Sequence, residues 1–235
     1  MNSRGKVIMY SISAIVPVFN EKIVLKESID IINKFLLKNF SDYEILVIES
    51  GSTDGSGEIC DELAEKYEFV TVIHESQRNG FGSALKIGYQ NAIKDLIWLI
   101  TLDLPFPLES ILNAIPKLSN YNCVLSYRCN DNRNWKRKLQ SIAYNKIIKL
   151  SLGLKVKHVN SAFKVFKRDI IQNMNITSDG WFIDAEIIYW LQQKNISFVE
   201  LPVELIDRKE GQSKITLLSI LTILKELFSF KILVK

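Results

Sequence analysis

Residues 43–56 read YEILVIESGSTDGS, and this stretch shows most clearly how the chain folds. An apolar run typical of a buried strand, residues 43–49, ends in a cluster of small and polar residues. Gly51 permits a tight turn there, and Thr53 or Asp54 can cap the helix that follows. Strand, turn and helix in this order form the first part of a βαβ unit.

The same alternation continues on both sides of this stretch. Apolar runs predict further strands, and longer amphipathic stretches predict helices between them. The predicted strands lie near residues 13–19, 43–49, 70–74, 96–102, 123–128, 159 and 198–205, and the predicted helices near 22–37, 55–67, 82–94, 108–118, 136–152 and from 184 onward. This pattern predicts an α/β fold with a mainly parallel sheet flanked by helices.

The chain has no Pro- or Ser-rich linker, so we expect one domain over residues 1–214. Residues 215–235 are apolar but are interrupted by Lys225, Glu226 and Lys231. A spanning helix needs about 20 predominantly apolar residues, so these residues predict a C-terminal amphipathic helix instead. Such a helix either packs on its own domain or across a dimer, or lies in the plane of a membrane.

The composition excludes several classes of protein. The net charge of +4 is too small to indicate nucleic-acid binding, which requires dense Lys and Arg clustering. The three cysteines lack CxxC or Cys/His spacing, which argues against a disulfide framework and a zinc site. Because the first residues hold no apolar run of signal-peptide length, we expect a cytoplasmic protein.

In an open α/β sheet the ligand lies beyond the carboxyl ends of the strands, so the residues there are the site candidates. Residues 17–21 (PVFNE) lack the G-x-G-x-x-G of a dinucleotide site. Residues 78–83 (RNGFGS) place glycines and a cation where backbone N–H groups could meet phosphate. Asp103 follows the fourth strand, where an aspartate is either a turn residue or a metal ligand.

Taken together and in order, these stretches resemble family 2 glycosyltransferases of the GT-A (Rossmann-like) fold, in particular dolichyl-phosphate mannose synthases and their polyprenyl-phosphate relatives. Residues 16–21 resemble the family's P-V-x-N-E strand end, 49–54 its D-D-G-S-T-D turn, 78–82 its R-x-G-x-G loop and 101–103 its D-x-D metal motif. Downstream, residues 126–128 (SYR) resemble G-S-R, 161–164 (SAFK) resemble S-G-F-K, and 208–214 (RKEGQSK) resemble the R-x-x-G-x-S-K signature of polyprenyl-phosphate sugar synthases.

The resemblance implies a donor site at the strand ends. Its residues would include Pro17, Asn20, Glu21, Ser50 and Gly80. Glu49 would replace the Asp that reads the base or ribose of the nucleotide.

The resemblance also implies how charge is stabilised in the reaction. Asp103 would hold Mg²⁺ or Mn²⁺, because negative charge gathers on the departing nucleoside diphosphate. Arg128, Arg208 and Lys214 would share that task.

The chain departs from the family pattern mainly at the metal site. Ser50 removes the second carboxylate of the turn, Thr101 replaces the first Asp of D-x-D, and Pro105 stands where a Gln ligand is common. A hard cation held by one carboxylate, substrate phosphates and water still fits this depleted motif. Weak metal dependence, or replacement of the metal by arginine, is the alternative.

Asp184 and Glu186 are the carboxylates to weigh in the second half, and at a spacing of two they cannot share one helix face. We expect one of them to reach the site. Asp184 either caps its helix, acts as general base on a sugar hydroxyl, or orients the sugar when the acceptor is an ionised lipid phosphate. His74 and His158 have no partner pattern and predict structural roles.

A basic cluster around Trp135 is either a solvated helix start or a contact for anionic lipid. It comprises Arg133, Lys136, Arg137 and Lys138. An aromatic ring among cations is typical of a membrane interface.

The first hypothesis is an inverting transferase that moves a hexose from a GDP- or UDP-sugar to a polyprenyl phosphate at the cytoplasmic membrane face. The second is transfer to a sugar hydroxyl in surface glycan synthesis. The third is a non-catalytic nucleotide-sugar-binding subunit, which the depleted metal motif motivates. A homo-oligomer or a membrane partner subunit stays open, and nucleic acid is not expected as a partner.

Overall fold

The computed structural model describes residues 10–130, 135–206 and 217–234, with backbone alone at 136–137 and 217–221. The strands are β1 (Ile12–Val18), β2 (Tyr43–Ser50), β3 (Val70–Glu75), β4 (Leu96–Leu99), β5 (Cys123–Arg128), β6 (Lys164–Lys167) and β7 (Phe198–Val203). The helices are α1 (Lys22–Asn39), α2 (Ser56–Lys66), α3 (Phe81–Asn91), α4 (Ser110–Ala114), a 3₁₀ helix (Ile115–Ser119), α5 (Trp135–Leu152), α6 (Arg168–Gln172), α7 (Ile183–Gln193) and α8 (Leu217–Leu233).

The chain divides into two compact units. Unit one contains residues 1–79, 84–104 and 165–173, and unit two contains residues 80–83, 105–164 and 174–235. The carboxyl ends of the first four strands therefore belong to unit one, and those of β5 and β7 belong to unit two.

Unit one is built on strands in the order β3-β2-β1-β4-β6. β1 pairs in parallel with β2 and β4, and β2 pairs in parallel with β3. β1 and β2 are buried along almost their whole length, as expected for parallel strands covered on both faces. α1 buries Leu25, Ile29, Ile32 and Leu36, which recur at helical spacing and form its core-facing stripe.

Unit two contains the parallel pair of β5 and β7 together with α5, α7 and α8. α8 buries Ile223, Leu227 and Phe230, which lie on one face of the helix. The ring of Phe230 lies 5.1 Å from that of Tyr189 on α7. One face of the C-terminal helix therefore packs within its own unit. Of the helices within the described ranges, none combines the length and apolarity needed to cross a membrane.

The α/β fold with a mainly parallel sheet and a C-terminal helix is confirmed, but three details of the sequence prediction are wrong. β4 ends at Leu99, because residues 101–104 form a turn in which the Leu104 N–H donates to the Thr101 carbonyl. The predicted helix over residues 108–118 is split into a short α-helix and a 3₁₀ helix that contains Pro116 near its start.

The third correction concerns the short strand predicted near Val159. Among the described residues the strand of this region is β6, which begins at Lys164 instead. The Val159 N–H donates to Asn145 Oδ1 at 2.7 Å, and the Ser161 N–H donates to the Val159 carbonyl. These bonds hold residues 159–161 in a turn, so their backbone does not join a ladder.

Candidate functional site

The loops after β1 and β2 in unit one are joined by a reciprocal pair of hydrogen bonds. The Asn20 N–H donates to Ser52 Oγ at 3.0 Å, and the Thr53 N–H donates to Asn20 Oδ1 at 2.9 Å. Asn20 takes a φ of 52°, a left-handed conformation that asparagine tolerates well. The sequence-predicted residue Asn20 thus fixes the shape of this strand-end edge.

The same loop also satisfies the start of α1. The Glu21 N–H donates to Ser56 Oγ at 3.0 Å, and the Lys22 N–H donates to Asp54 Oδ2 at 3.1 Å. Asp54 Oδ1 accepts the Ser56 N–H, so the expected capping role of Asp54 serves two helices. Pro17 lies half-buried in β1 below this junction.

Gly51 and Ser50 bring the end of β2 close to the chain after β3. Gly51 has a φ of +65°, and a Cβ placed there would lie 2.9 Å from Gln77 Cα. Ser50 Oγ donates to Glu75 Oε2 at 2.6 Å, and both residues are buried. The carboxylate lost from position 50 is therefore matched by a carboxylate on the neighbouring strand.

Glu49 is a buried carboxylate at the end of β2 whose two oxygens are both engaged. Oε1 accepts the Ser52 N–H at 2.6 Å, and Oε2 lies 3.1 Å from His74 Nδ1. Burial alone would raise the pKa of Glu49, but the hydrogen bonds from Ser52 and His74 outweigh it and hold that pKa below its ordinary value. Glu49 is therefore an ionised, oriented acceptor.

Asp103 follows β4 at the same edge of unit one and is half-buried. Leu104, with a φ of 41°, turns the chain sharply after it, and Ser28 Oγ donates to the Leu102 carbonyl at 2.7 Å. In the part of the chain that the structure describes, no three His, Cys, Asp or Glu side chains cluster as a metal site made of protein ligands alone would need. Asp103 fits a cation that takes its other ligands from a nucleotide and water.

Gly80 and Gly82 in unit two are explained by close packing. Gly80 has a φ of +117°, and a Cβ on Gly82 would lie 2.6 Å from the Ser178 carbonyl oxygen. The Ser83 N–H donates to the Asp179 carbonyl at 3.1 Å. This contact accounts for the glycines without a phosphate, so a donor-binding role for Gly80 remains a prediction.

Glu186 hydrogen-bonds to residues 177 and 178, in the segment against which Gly80 and Gly82 pack. It is fully buried and accepts the Thr177 N–H at 2.8 Å, the Thr177 hydroxyl at 2.9 Å and the Ser178 N–H at 2.8 Å. Its hydrogen-bonding role is structural. Of the two carboxylates weighed from the sequence, Asp184 is therefore the site candidate.

The segments around Ser126 and Ser161 meet in the interior of unit two. The Ser126 N–H donates to Ser161 Oγ at 2.8 Å, and Ser161 Oγ donates to the Phe163 carbonyl at 2.6 Å. Arg128, two residues further along β5, is half-buried, and its N–H lies 3.5 Å from His158 Nδ1. The two motifs singled out by the resemblance are therefore hydrogen-bonded to each other.

Lys164 and Asp184 form a buried ion pair next to these serines. Lys164 Nζ lies 2.9 Å from Asp184 Oδ2 and also donates to the Ser161 carbonyl, and the two side chains are 4% and 9% exposed. Within the described ranges, Asp184 Oδ1 has no hydrogen-bond partner. Burial raises the pKa of Asp184, and the Lys164 ammonium opposes that shift.

A half-buried tyrosine on α5, whose hydroxyl oxygen is buried, belongs to the same polar region. Burial first, and the charge of Asp184 second, raise the pKa of Tyr144 above its ordinary value. A side-chain contact with Asn160 opposes part of this shift. Asp184 lies inside α7 and does not cap it, because the helix has no side-chain cap.

Some candidates lie outside the described residues, and some partners were missed. Arg208 and Lys214 fall within residues 207–216, which the structure does not describe.

Two residues of the candidate site were not singled out from the sequence. Lys164 was named there only as the last residue of the SAFK motif. A structural role was predicted for His74 without a partner, and the parallel register places it directly beside Glu49.

Comparison with solved structures shows a shared fold at low sequence identity. The chain is 18% identical to a mannosyltransferase from Pyrobaculum calidifontis solved with GDP-Man and Mn²⁺, with a TM-score of 0.65 over 87% of this chain. It spans 58% of that protein. It is 16% identical to glucosyl-3-phosphoglycerate synthase from Mycobacterium tuberculosis in complex with Mn²⁺, UDP and phosphoglyceric acid, with a TM-score of 0.69, covering 94% of this chain and 76% of the other.

A third structure, mannosyl-3-phosphoglycerate synthase from Rubrobacter xylanophilus, has a TM-score of 0.67 at 16% identity, covering 94% of this chain and 74% of the other. A family model described as glycosyl transferase family 2 matches residues 13–174, well over half of the chain. The match includes Asn20, Glu49, Asp103 and Arg128 and stops before Asp184. The chain belongs to glycosyl transferase family 2.

Proposed function

We propose that this glycosyltransferase moves a hexose, with inversion, from a GDP- or UDP-sugar to a polyprenyl phosphate at the cytoplasmic face of a membrane. The observation that carries the choice of acceptor is the surface of α5. This helix exposes large apolar side chains, carries several cations and contains no acidic residue. A transferase whose acceptor is a lipid phosphate has to work at a membrane, and such a helix surface favours attachment to one.

The donor side of the proposal rests on the strand ends of unit one. The Glu49 carboxylate would accept hydrogen bonds from the base or ribose, and the loops cross-linked by Asn20 would border the nucleotide together with Pro17 and Glu21. The resemblance adds Ser50 and Gly80 to this donor site. The solved relatives support a nucleotide-sugar donor, since one contains GDP-Man and another contains UDP.

Asp103 would hold Mg²⁺ or Mn²⁺ through one carboxylate and the donor diphosphate. When bound, such a cation stabilises the negative charge that develops on the leaving nucleoside diphosphate. Relatives solved with Mn²⁺ or Mg²⁺ and UDP support this assignment. The protein's own contribution is to fix the diphosphate at the end of β4 and to orient the hexose.

The surface of α5 supports a membrane-bound acceptor. Trp135, Leu139, Ile142 and Leu150 share one side of the helix and are between 56% and 75% exposed. Lys138, Lys146 and Lys149 lie along the same helix. Exposed apolar side chains among cations favour the headgroup region of an anionic bilayer.

The buried state of Asp184 favours an acceptor that needs no general base. A sugar hydroxyl must lose a proton during transfer, whereas a phosphate monoester is already ionised near neutral pH. Asp184 is buried and ion-paired to Lys164, which leaves a single oxygen for any further contact. With a phosphate acceptor this oxygen has only to orient a hydroxyl of the transferred sugar.

The acceptor is tested by transfer of radiolabelled hexose. We expect the full-length protein to move label from GDP-mannose or UDP-glucose to polyprenyl phosphate, measured in the organic phase after solvent extraction. Phosphoglycerate and a soluble oligosaccharide serve as competing acceptors in parallel reactions. Label in the aqueous product alone would contradict the lipid acceptor and leave the donor assignment intact.

Arg208 and Lys214 give this assay its matched variants. Both are proposed to bind phosphate oxygens, and an arginine fork grips phosphate through two bonds where lysine acts as a point charge. Arg208→Lys is therefore expected to lose about tenfold in kcat/KM for the lipid despite conserving charge. Wild-type kinetics in both Arg208→Ala and Lys214→Ala would remove the phosphate argument.

Membrane attachment is tested by flotation with vesicles. The wild-type protein is expected to float with vesicles containing phosphatidylglycerol and to remain below neutral ones. Leu139→Glu combined with Ile142→Glu is expected to lower the membrane-bound ratio about tenfold or more, since each apolar side chain contributes roughly 1–2 kcal/mol when buried.

Leu37→Glu is the matched control, because Leu37 is 63% exposed on α1 and lies in unit one. Substitution on α5 is a cleaner test than removal of residues 215–235. Part of that segment packs on α7, so its deletion would expose aromatic rings as well as remove an apolar face. Equal flotation of the control and the α5 variant would argue against this surface.

Transfer to a sugar hydroxyl is the second candidate, and one observation favours it. Asp184 Oδ1 is an unpartnered carboxylate oxygen among the described residues, and Tyr144 Oη lies in the same polar region. An acceptor hydroxyl that reached Asp184 would find a proton acceptor there. The competing acceptors in the radiolabel assay separate the two candidates.

A further inference from the structure

His74 lies at the end of β3 between two carboxylates of unit one. Its Nδ1 is 3.1 Å from Glu49 Oε2, and its Nε2 is 2.9 Å from Asp61 Oδ1 on α2. Glu49 is 6% exposed, whereas the side chains of His74 and Asp61 are 43% and 62% exposed. The imidazole therefore bridges a buried acceptor and the solvent-facing side of a helix.

The two contacts cannot both be donated by a neutral ring. A neutral imidazole has one N–H, so its other nitrogen would present a lone pair to a carboxylate oxygen. The imidazolium donates to both. The hydrogen bonds to Asp61 first and to Glu49 second accordingly raise the pKa of His74, against a smaller lowering effect of burial.

Proton loss at His74 would act directly on Glu49. The other Glu49 oxygen accepts the Ser52 N–H, so the carboxylate is oriented from both sides while His74 is charged. When the ring becomes neutral it keeps one N–H for either Glu49 or Asp61, and in both tautomers the positive charge beside the Glu49 carboxylate is lost. Glu49 is the carboxylate that the proposed function assigns as the hydrogen-bond acceptor for the base or ribose of the donor.

The charged groups around His74 also make donor binding weaker when the ring is neutral. The charged groups that face His74 are Glu49 of β2 and Asp61 of α2. The buried Cys60 thiol nearby adds no charge, because burial, with further contributions from Glu49, Asp61 and Asp54, raises its pKa to about 12 and keeps it protonated. A neutral His74 thus leaves an acidic edge that repels an anionic diphosphate.

We propose that His74 is a positioning residue that holds the Glu49 carboxylate for the nucleotide, so that affinity for a nucleotide-sugar falls as the imidazolium loses its proton. This inference rests on the proposed donor role of Glu49. It assigns His74 a function in donor binding without direct contact with the donor. The sign follows from the contacts: binding is strongest while the ring is charged and weakens as pH rises through the raised pKa of His74.

The test is the dissociation constant of UDP-glucose and GDP-mannose, measured by calorimetry across pH. Nucleotide-sugars are the right probes because they lack the terminal phosphate that ionises near pH 6. We expect the Kd of the better-binding sugar to rise about three- to tenfold in wild type between about pH 6 and about pH 8.5.

Two variants make the test specific. His74→Gln is expected to show a flat profile, about three- to tenfold weaker than wild type at about pH 6 and equal to it at about pH 8.5. His158→Gln, at the chain's other histidine, is the matched control and should keep the wild-type pH dependence. Asp61→Asn removes the larger cause of the raised pKa of His74, so the break in the profile should move to lower pH.

The outcomes separate this inference from the proposed function. Binding of neither nucleotide-sugar to the wild-type protein at any pH would refute the donor site as a whole. Binding with the same pH profile in wild type and His74→Gln would overturn the role of His74 alone. If His74→Gln does not fold, the exposed Asp61→Asn decides, because a merely structural histidine would not shift the break in nucleotide affinity.

Discussion

Asp103→Asn is expected to lower the turnover number by about tenfold or more while leaving the melting temperature unchanged. Asp103 lies at the carboxyl end of a parallel strand, where ligands of open α/β folds bind, and it is half-buried. The amide keeps the size of the side chain but removes the charge that would hold a divalent cation. The loss should therefore appear in catalysis and not in folding.

The measurement compares kcat in Mn²⁺ and in EDTA for wild type and variant. Asp169→Asn is the matched control, because the Asp169 side chain is 82% exposed on α6 of the same unit. A metal-dependent wild type and a slow, metal-insensitive variant are expected. Full activity of Asp103→Asn, with equal rates in EDTA and Mn²⁺, would show that this chain works without the metal of its relatives.

Lys164→Met is expected to lower the free energy of unfolding by roughly 3–5 kcal/mol, the usual cost of leaving one member of a buried ion pair alone. The methionine fills the space of the lysine stem but leaves the Asp184 carboxylate buried without its cation. Protonation of Asp184 would relieve this cost. The destabilisation should therefore shrink as pH falls through the raised pKa of Asp184.

Chemical denaturation at several pH values measures this effect. The double variant Lys164→Met/Asp184→Asn should recover much of the lost stability, because it removes both charges. Lys26→Met is the matched control, since the Lys26–Glu62 pair at 2.6 Å is 59% exposed on each side and should contribute little. Equal losses in Lys164→Met and Lys26→Met would show that the buried pair does not stabilise unit two.

Long apolar runs between turn residues made β2, β3 and β5 predictable from the sequence. Residues 123–128 were predicted with the observed bounds. β6 was missed because its sequence, KVFK, is short and bounded by lysines, which are rarely buried without a partner. Lys164 has that partner in Asp184, 20 residues away, and nothing in local sequence shows this pairing.

Some residues of the candidate site could likewise be predicted from the sequence, and others required the fold. Asn20 and Glu49 could be named because they lie at the carboxyl ends of strands, and the parallel sheet brings the ends of β1 and β2 together. The choice between Asp184 and Glu186 depended on which backbone groups Glu186 satisfies, and that requires the fold of residues 177–178. Helix periodicity alone placed the two on different faces without saying which face held the ligand.

The reciprocal bonds between Asn20, Ser52 and Thr53 have a consequence for the thermodynamics of binding. Because each loop holds a backbone group of the other, neither can reorganise without breaking a contact in its neighbour. The conformational entropy of this edge is thus lost during folding, before a ligand arrives. A donor that binds here would meet loops already ordered, so less of its contact energy would be offset by ordering the protein.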